Sequence, residues 1–155
     1  MSSPKYDLLP PFFDAVVRVK VPVSENSDKR IPEMGLIICE TEDVSFKEVS
    51  KKFPSGTNAL SVVLRSGSGA SSFFEAFAEA NEKGSWLYID VEDDPTPEII
   101  GILKEISETG ALTREGVKIP FHEMTRVIAI VRAETLEKKI TYPYFMEMFG
   151  PIARI

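Results

Sequence analysis

One cysteine and one histidine are all the thiol and imidazole in this 155-residue chain, and each scarcity removes a class of chemistry. A single thiol builds no disulfide framework and no thiolate metal centre. Cys39 closes the apolar run Gly35-Leu36-Ile37-Ile38-Cys39, where a buried, inert thiol is the expectation. A histidine-rich zinc site cannot be assembled from His122 alone. Any Ser/His/Asp device would have to use that same residue, and no G-x-S-x-G elbow is present to serve it. Positive charge is also short. Lys and Arg number 18 against 24 Asp and Glu, a net charge of −6, and the cations are scattered among acids. Such a field repels phosphate backbones, so no nucleic-acid partner is expected. No apolar run approaches bilayer length, so no membrane span is expected. The start Met1-Ser2-Ser3-Pro4-Lys5-Tyr6 lacks the charged beginning and apolar stretch of a secretory signal, which makes the cytoplasm the expected location.

What is present describes a folded domain. Hydrophobic residues at 43% and charged residues at 27% leave enough apolar surface for one proper core. The reading divides the chain into an N-terminal arm and strand over residues 1–30 and an α/β domain over 31–155. Pro4, Pro10 and Pro11 suggest an extended arm, followed by a strand somewhere within 12–23, where β-branched residues partly alternate. Residues 24–30 are polar and read as an exposed loop. From there the runs 36–39, 60–64, 86–91 and 127–131 are short and almost continuously apolar, as suits parallel strands buried on both faces.

Helix signals lie between those runs. Ser45-Phe46-Lys47-Glu48 and Ser72-Phe73-Phe74-Glu75 both fit the capping box. Thr96-Pro97-Glu98 supplies an N-cap, a first-turn proline and an acid favoured by the helix dipole. Phe46, Val49 and Phe53 form one predicted core stripe, and Phe73, Phe77 and Ala80 another. A third helix carries Ile99, Leu103 and Ile106 on one face and stops near Gly110. Regular strand and helix alternation predicts a three-layer α/β sandwich around a mostly parallel sheet.

The stretch Gly84-Ser85-Trp86-Leu87-Tyr88-Ile89-Asp90, followed by an acidic loop and Pro97-Glu98, resembles the AAA+ superfamily of P-loop NTPases, particularly the midasin and dynein heavy-chain modules. Residues 108–122 look like that family's β-hairpin insertion, and 126–131 like the strand that carries sensor 1. The tail from Tyr142 to Ile155 resembles the segment bearing an arginine finger before the last strand. The resemblance covers residues 34–155 and implies a P-loop NTPase-like sheet with 35–39 in the middle, flanked by 127–131. No helical lid domain is expected after Ile155.

The same resemblance implies that the ATP site has been lost. A P-loop needs glycine amides to wrap phosphate, a lysine to neutralise it and a hydroxyl for magnesium. Here the corresponding positions are Glu40, Thr41, Glu42, Asp43, Val44, Ser45, Phe46 and Lys47, with no glycine, Phe46 in the lysine's place and three acids expected to face a triphosphate. Asp90 matches the Walker B acid, but Val91 replaces the water-activating glutamate, Arg132 the sensor asparagine and Met148 the arginine finger. The resemblance thus implies a pseudo-ATPase with no catalytic residues, cofactor or metal. Asp90, Glu92, Asp93 and Asp94 read as a solvated acidic loop. A protein partner is expected, docking on the hairpin 109–121 or on Tyr142, Tyr144, Phe145 and Phe149. The alternative is a nucleotide or dinucleotide site at Gly67-Ser68-Gly69, with Ser72 at the third glycine position and Asp90 about twenty residues on.

Overall fold

The computed structural model describes residues 4–18, 20–22, 30–32, 34–54, 56–65, 67, 69–122 and 124–155. A 3-10 turn, Pro4–Leu8, leads into α1 (Leu9–Arg18), and a small antiparallel pair follows, β1 (Lys20–Pro22) with β2 (Arg30–Pro32). The main body then runs β3 (Gly35–Cys39), α2 (Phe46–Ser50), β4 (Ala59–Leu64), α3 (Ala70–Lys83), β5 (Trp86–Val91) and α4 (Pro97–Thr109). A hairpin, β6 (Ala111–Arg114) with β7 (Val117–Pro120), precedes β8 (Val127–Arg132), α5 (Ala133–Lys138), a 3-10 turn at Met146–Met148, and β9 (Ile152–Arg154). Among the described residues no helix is long and apolar enough to cross a membrane.

Five strands form one sheet in the order β4-β5-β8-β3-β9, every neighbouring pair parallel. Ile37 of β3 lies opposite Ile130 on one side and Ala153 on the other. Residues 35–39 form an interior strand flanked by 127–131, as expected, although β8 takes the central place and β3 is fourth of the five; helices on both faces and the hairpin within 109–121 are also observed. Period-two alternation splits the sheet's side chains between two cores. Leu36, Ile38, Leu87, Ile89 and Ala129 pack with α3 and α4, whereas Ile37, Trp86, Tyr88, Ile128 and Ile130 pack with α1.

The N-terminal segment corrects the expected extended arm and most of the expected strand. Leu9, Phe12, Phe13 and Val16 are all buried, and they recur at i, i+3, i+4 and i+7, a helical stripe. Burying each such side chain is worth about 1.5–3 kcal/mol, which outweighs the few tenths that a β-branched residue costs a helix. Pro10 and Pro11 sit in the first turn, where a missing N–H leaves no intrahelical bond unmade. Only Lys20–Pro22 of the predicted stretch is strand, and residues 24–29 of the predicted loop lie outside the described residues.

Gly35 makes this arrangement possible. A Cβ there would stand 2.7 Å from Phe12 Cζ, 2.8 Å from Val16 Cγ2 and 2.9 Å from Ile128 Cδ1, so α1 lies directly against the start of β3.

Several local expectations hold and others shift. Ser45 caps α2 by accepting from Glu48 N at 3.2 Å, Thr96 caps α4 by accepting from Ile99 N at 3.3 Å, and Gly110 ends α4 in the left-handed conformation. The Ser72–Glu75 capping box does not form: α3 starts at Ala70 behind Gly69, with no side-chain cap. Alanine's high helix propensity carries the helix past the serine. The stripe Phe46, Val49, Phe53 is also broken. Helix α2 ends at Ser50, so Phe53 lies beyond it, and Phe46 is 41% exposed instead of in the core. Strand β4 is an edge strand with Ala59 and Ser61 exposed, not buried on both faces. In the tail, Phe145, Met148 and Phe149 are buried, and no amphipathic helix forms there.

Candidate functional site

From β3 the chain crosses to the far edge at β4, returns through β5 to β8 beside β3, and then passes to β9 on the other flank. In an open parallel sheet, ligands are expected outside the carboxyl ends of the strands where the order reverses in this way. A hollow of about 420 Å³ lies there, bounded by Cys39 from β3, Asp90 and Val91 from β5, and Ile130 and Arg132 from β8. Val44, Phe46 and Val49 close one side; Glu134, Thr135 and Lys139 close another.

The structure thus brings together Val44, Phe46, Asp90, Val91, Glu92 and Arg132, all positions that the sequence marked. Glu40, Thr41, Glu42 and Asp43 form an exposed turn and do not line the hollow. The acids on its wall are Asp90, Glu92 and Glu134, which corrects the expectation that residues 40, 42 and 43 would face a ligand. Glu40 instead pairs with Arg154 at 3.0 Å, and the Thr41 hydroxyl bonds the Asp43 carboxylate. Lys47 is exposed on α2.

Three backbone amides in and just after this loop are already engaged. Glu40 N donates to Ile155 O at 2.7 Å, Ser45 N to Tyr6 Oη at 3.4 Å and Glu48 N to Ser45 Oγ at 3.2 Å. A phosphate cradle needs such groups unpaired and convergent. Five residues of α2 also add little macrodipole. The Phe46 ring stands edge-on to Tyr88 at 5.5 Å and to Phe53 at 6.1 Å, while Phe53 stacks on Tyr88 at 4.0 Å. Phe46 therefore closes this side of the hollow, backed by Phe53 and Tyr88.

Charge on the opposite wall is crowded. Burial pushes the Asp90 carboxyl above its ordinary pKa and Glu92 adds to the shift, while Arg132 and Arg65 pull the other way. Glu92 itself pairs with Arg65 at 3.2 Å. Asp94 is tied into the fold instead of lying free in a solvated acidic loop: its carboxylate accepts from Thr141 N at 3.1 Å and Thr141 Oγ1 at 2.7 Å. Among the described residues no group of three or more His, Cys, Asp or Glu is arranged to hold a metal ion.

The other marked residues lie elsewhere. Gly67 has φ +85° and Gly69 caps α3, but a Cβ at either would meet nothing within 4 Å, so neither marks a close helix–strand approach. Ser72 is exposed in the first turn of α3, and Ser68 lies outside the described residues. This loop follows the edge strand β4, away from the order reversal at β8 and β3. Met148 is buried near Met34, before the start of β3. His122 is exposed; its backbone N donates to Asn81 Oδ1 at 2.6 Å, and its ring lies beside Gly84.

Sequence reasoning missed Tyr6, Glu134, Thr135 and Lys139. Glu134 and Thr135 follow directly on β8, and Lys139 caps the short helix after it; the end of a strand beside the order reversal was a signal that could have found them. Tyr6 gave no such signal, because its segment was read as an arm. No protein-family model matches the chain, and no curated protein matches it in sequence.

Proposed function

We propose that this chain is a non-catalytic AAA+-like module, a pseudo-ATPase domain that acts as a protein-binding or structural part of a larger AAA+ or dynein-type assembly. The observation that carries this reading is the loop after β3. At the position of a phosphate cradle, the amides of Glu40, Ser45 and Glu48 are bonded within the chain, and Phe46 lines the hollow in place of a cation. A triphosphate placed there would meet carboxylates at Asp90, Glu92 and Glu134, against Arg132 and Lys139 among the lining residues and Arg65 already paired with Glu92, which gives poor electrostatic complementarity. The placement of β3 between β8 and β9, with Asp90 at the end of β5, supports the AAA+ comparison.

The surfaces available to a protein partner are narrower than the sequence suggested. Phe145 and Phe149 are core residues, which leaves Tyr144, 56% exposed, and Val117 at the hairpin, 63% exposed.

Thermal denaturation with magnesium and nucleotide tests the reading. A ligand at a hundred times its dissociation constant stabilises a fold by about 2.7 kcal/mol. The expected result is no shift with millimolar ATP or GTP and no turnover. A clear rise in melting temperature with ATP would refute the pseudo-ATPase reading; a rise with NAD would favour the loop at Gly67 and Gly69.

A further inference from the structure

The outer edge of β4 is unprotected. It spans Ala59-Leu60-Ser61-Val62-Val63-Leu64, without a charge or a proline, and it pairs residue for residue with β5, so no bulge interrupts it. Sheet edges normally carry such devices because their unpaired backbone groups invite another strand. The opposite edge has them. There β9 is three residues long, follows Pro151 and carries Arg154.

The direction of the free groups follows from the ladder. Trp86 N donates to Asn58 O at 2.8 Å and Glu92 N to Leu64 O at 3.0 Å. In a parallel pair alternate residues bond the neighbour, so Ala59, Ser61 and Val63 turn both N–H and C=O outward. Those three make no hydrogen bond on that side, and among the described residues no strand pairs there.

We propose that β4 pairs antiparallel with β4 of a second copy of this chain, about a twofold axis at Ser61, so that two five-stranded sheets become one. A twofold interface requires a self-complementary patch, and this edge meets that requirement. Because the outward groups belong to odd-numbered residues, a register centred on Ser61 places Ser61 against Ser61 and Ala59 against Val63 as hydrogen-bonded pairs. Leu60 then faces Val62, apolar against apolar, and no like charges are opposed within the strand. A partner strand of different sequence would find no charged side chain within β4 to select it. The contact proposed here is one six-residue strand from each copy, so the association is reversible and rises with concentration.

Sedimentation velocity of the full chain from micromolar to millimolar concentration should show a monomer–dimer equilibrium. Ser61→Pro removes an outward N–H without removing a bond to β5, and an edge strand tolerates proline. It should weaken self-association about tenfold or more, through lost backbone bonds. Ser61→Cys provides an arm independent of proline's effect on folding. Directly opposed residues in a hydrogen-bonded antiparallel pair have Cα atoms about 5.5 Å apart, within disulfide range. Mild oxidation should therefore give a reducible dimer with Ser61→Cys, but not with the parent, whose Cys39 is buried, nor with Glu75→Cys at an exposed position of α3. A chain that stays monomeric throughout, leaving the edge to a strand of another protein, overturns the proposal. So does a dimer that survives Ser61→Pro at full affinity, or one in which Ser61→Cys does not cross-link.

Discussion

Replacing Gly35 with alanine tests whether α1 lies across the start of β3. The added methyl would arrive 2.7 to 2.9 Å from Phe12, Val16 and Ile128, whereas carbon atoms rest at about 3.5–4.0 Å. Each neighbour must move by close to an ångström. All three are buried, at 6%, 0% and 0% exposure, and they come from two different elements, so none can swing into solvent. Overpacking of this kind costs about 1–3 kcal/mol. Against that, losing glycine's freedom in the unfolded chain contributes about 0.4–1 kcal/mol of stability. The steric term wins, and the expected net loss is about 1–2 kcal/mol. For a domain of this size each kcal/mol moves the melting temperature by about 2–4 °C, so Gly35→Ala should melt about 2–8 °C below the parent. Urea denaturation followed by circular dichroism measures the same loss at constant temperature. A Gly35→Ala variant as stable as the parent would mean that Phe12 and Val16 do not cover β3, and the N-terminal helix would have to pack elsewhere.

Asn81 joins the end of α3 to the end of the hairpin, donating to Pro120 O at 2.9 Å and accepting from His122 N at 2.6 Å. Asn81→Ala strands both groups and should cost about 1–3 kcal/mol, with faster amide exchange in β6 and β7; unchanged exchange there would show that the hairpin is held by other contacts. Asp90 has a folded-state pKa above its ordinary 3.8, so the folded state binds more protons and stability falls as pH rises from that value through the raised pKa. Asp90→Asn should therefore be more stable than the parent at pH 7, and the difference should shrink as pH is lowered towards 3.8; a gain that is constant with pH, or a loss at pH 7, contradicts the assignment.

The main sheet was legible because its strands are apolar on both faces and its helices carry local start and stop signals. Leu36, Ile37 and Ile38 allow hardly any other reading, and Ser45, Thr96 and Gly110 act within one turn of themselves. Position in the sheet was harder to read. Residues 60–64 look as apolar as 86–91, yet β4 is an edge, since burial depends on a neighbour that the segment does not encode. The N-terminus failed for a different reason. Pro4, Pro10 and Pro11 suggest an extended arm, yet Pro10 and Pro11 lie in a first helical turn, where they cost no hydrogen bond. Helix α1 becomes visible only when Leu9, Phe12, Phe13 and Val16 are read with a period of 3.6 instead of two.

The site shows the same divide between what a strand end fixes and what a loop leaves open. Asp90, Val91 and Arg132 come together at the strand ends because each is anchored in register beside β3 or β8: Val91 opposite Val131, and Arg132 opposite Cys39. The turn after Cys39 has no such register. Its carboxylates sit on an exposed bend, and Arg154 of β9 draws Glu40 outward by ion pairing. The pull comes from a residue 114 positions away in sequence, as does the Ile155 carbonyl that takes the Glu40 amide. Tyr6, 39 positions before Ser45, takes a second amide. Phe46 is legible in the local sequence, but the engagement of the Glu40 and Ser45 amides comes from Ile155 and Tyr6, far away along the chain. That engagement makes a stronger case against phosphate binding than the acids do. Carboxylates on an exposed turn can be screened by salt, whereas an amide bonded to Ile155 O must break a backbone hydrogen bond before it can meet a phosphate oxygen.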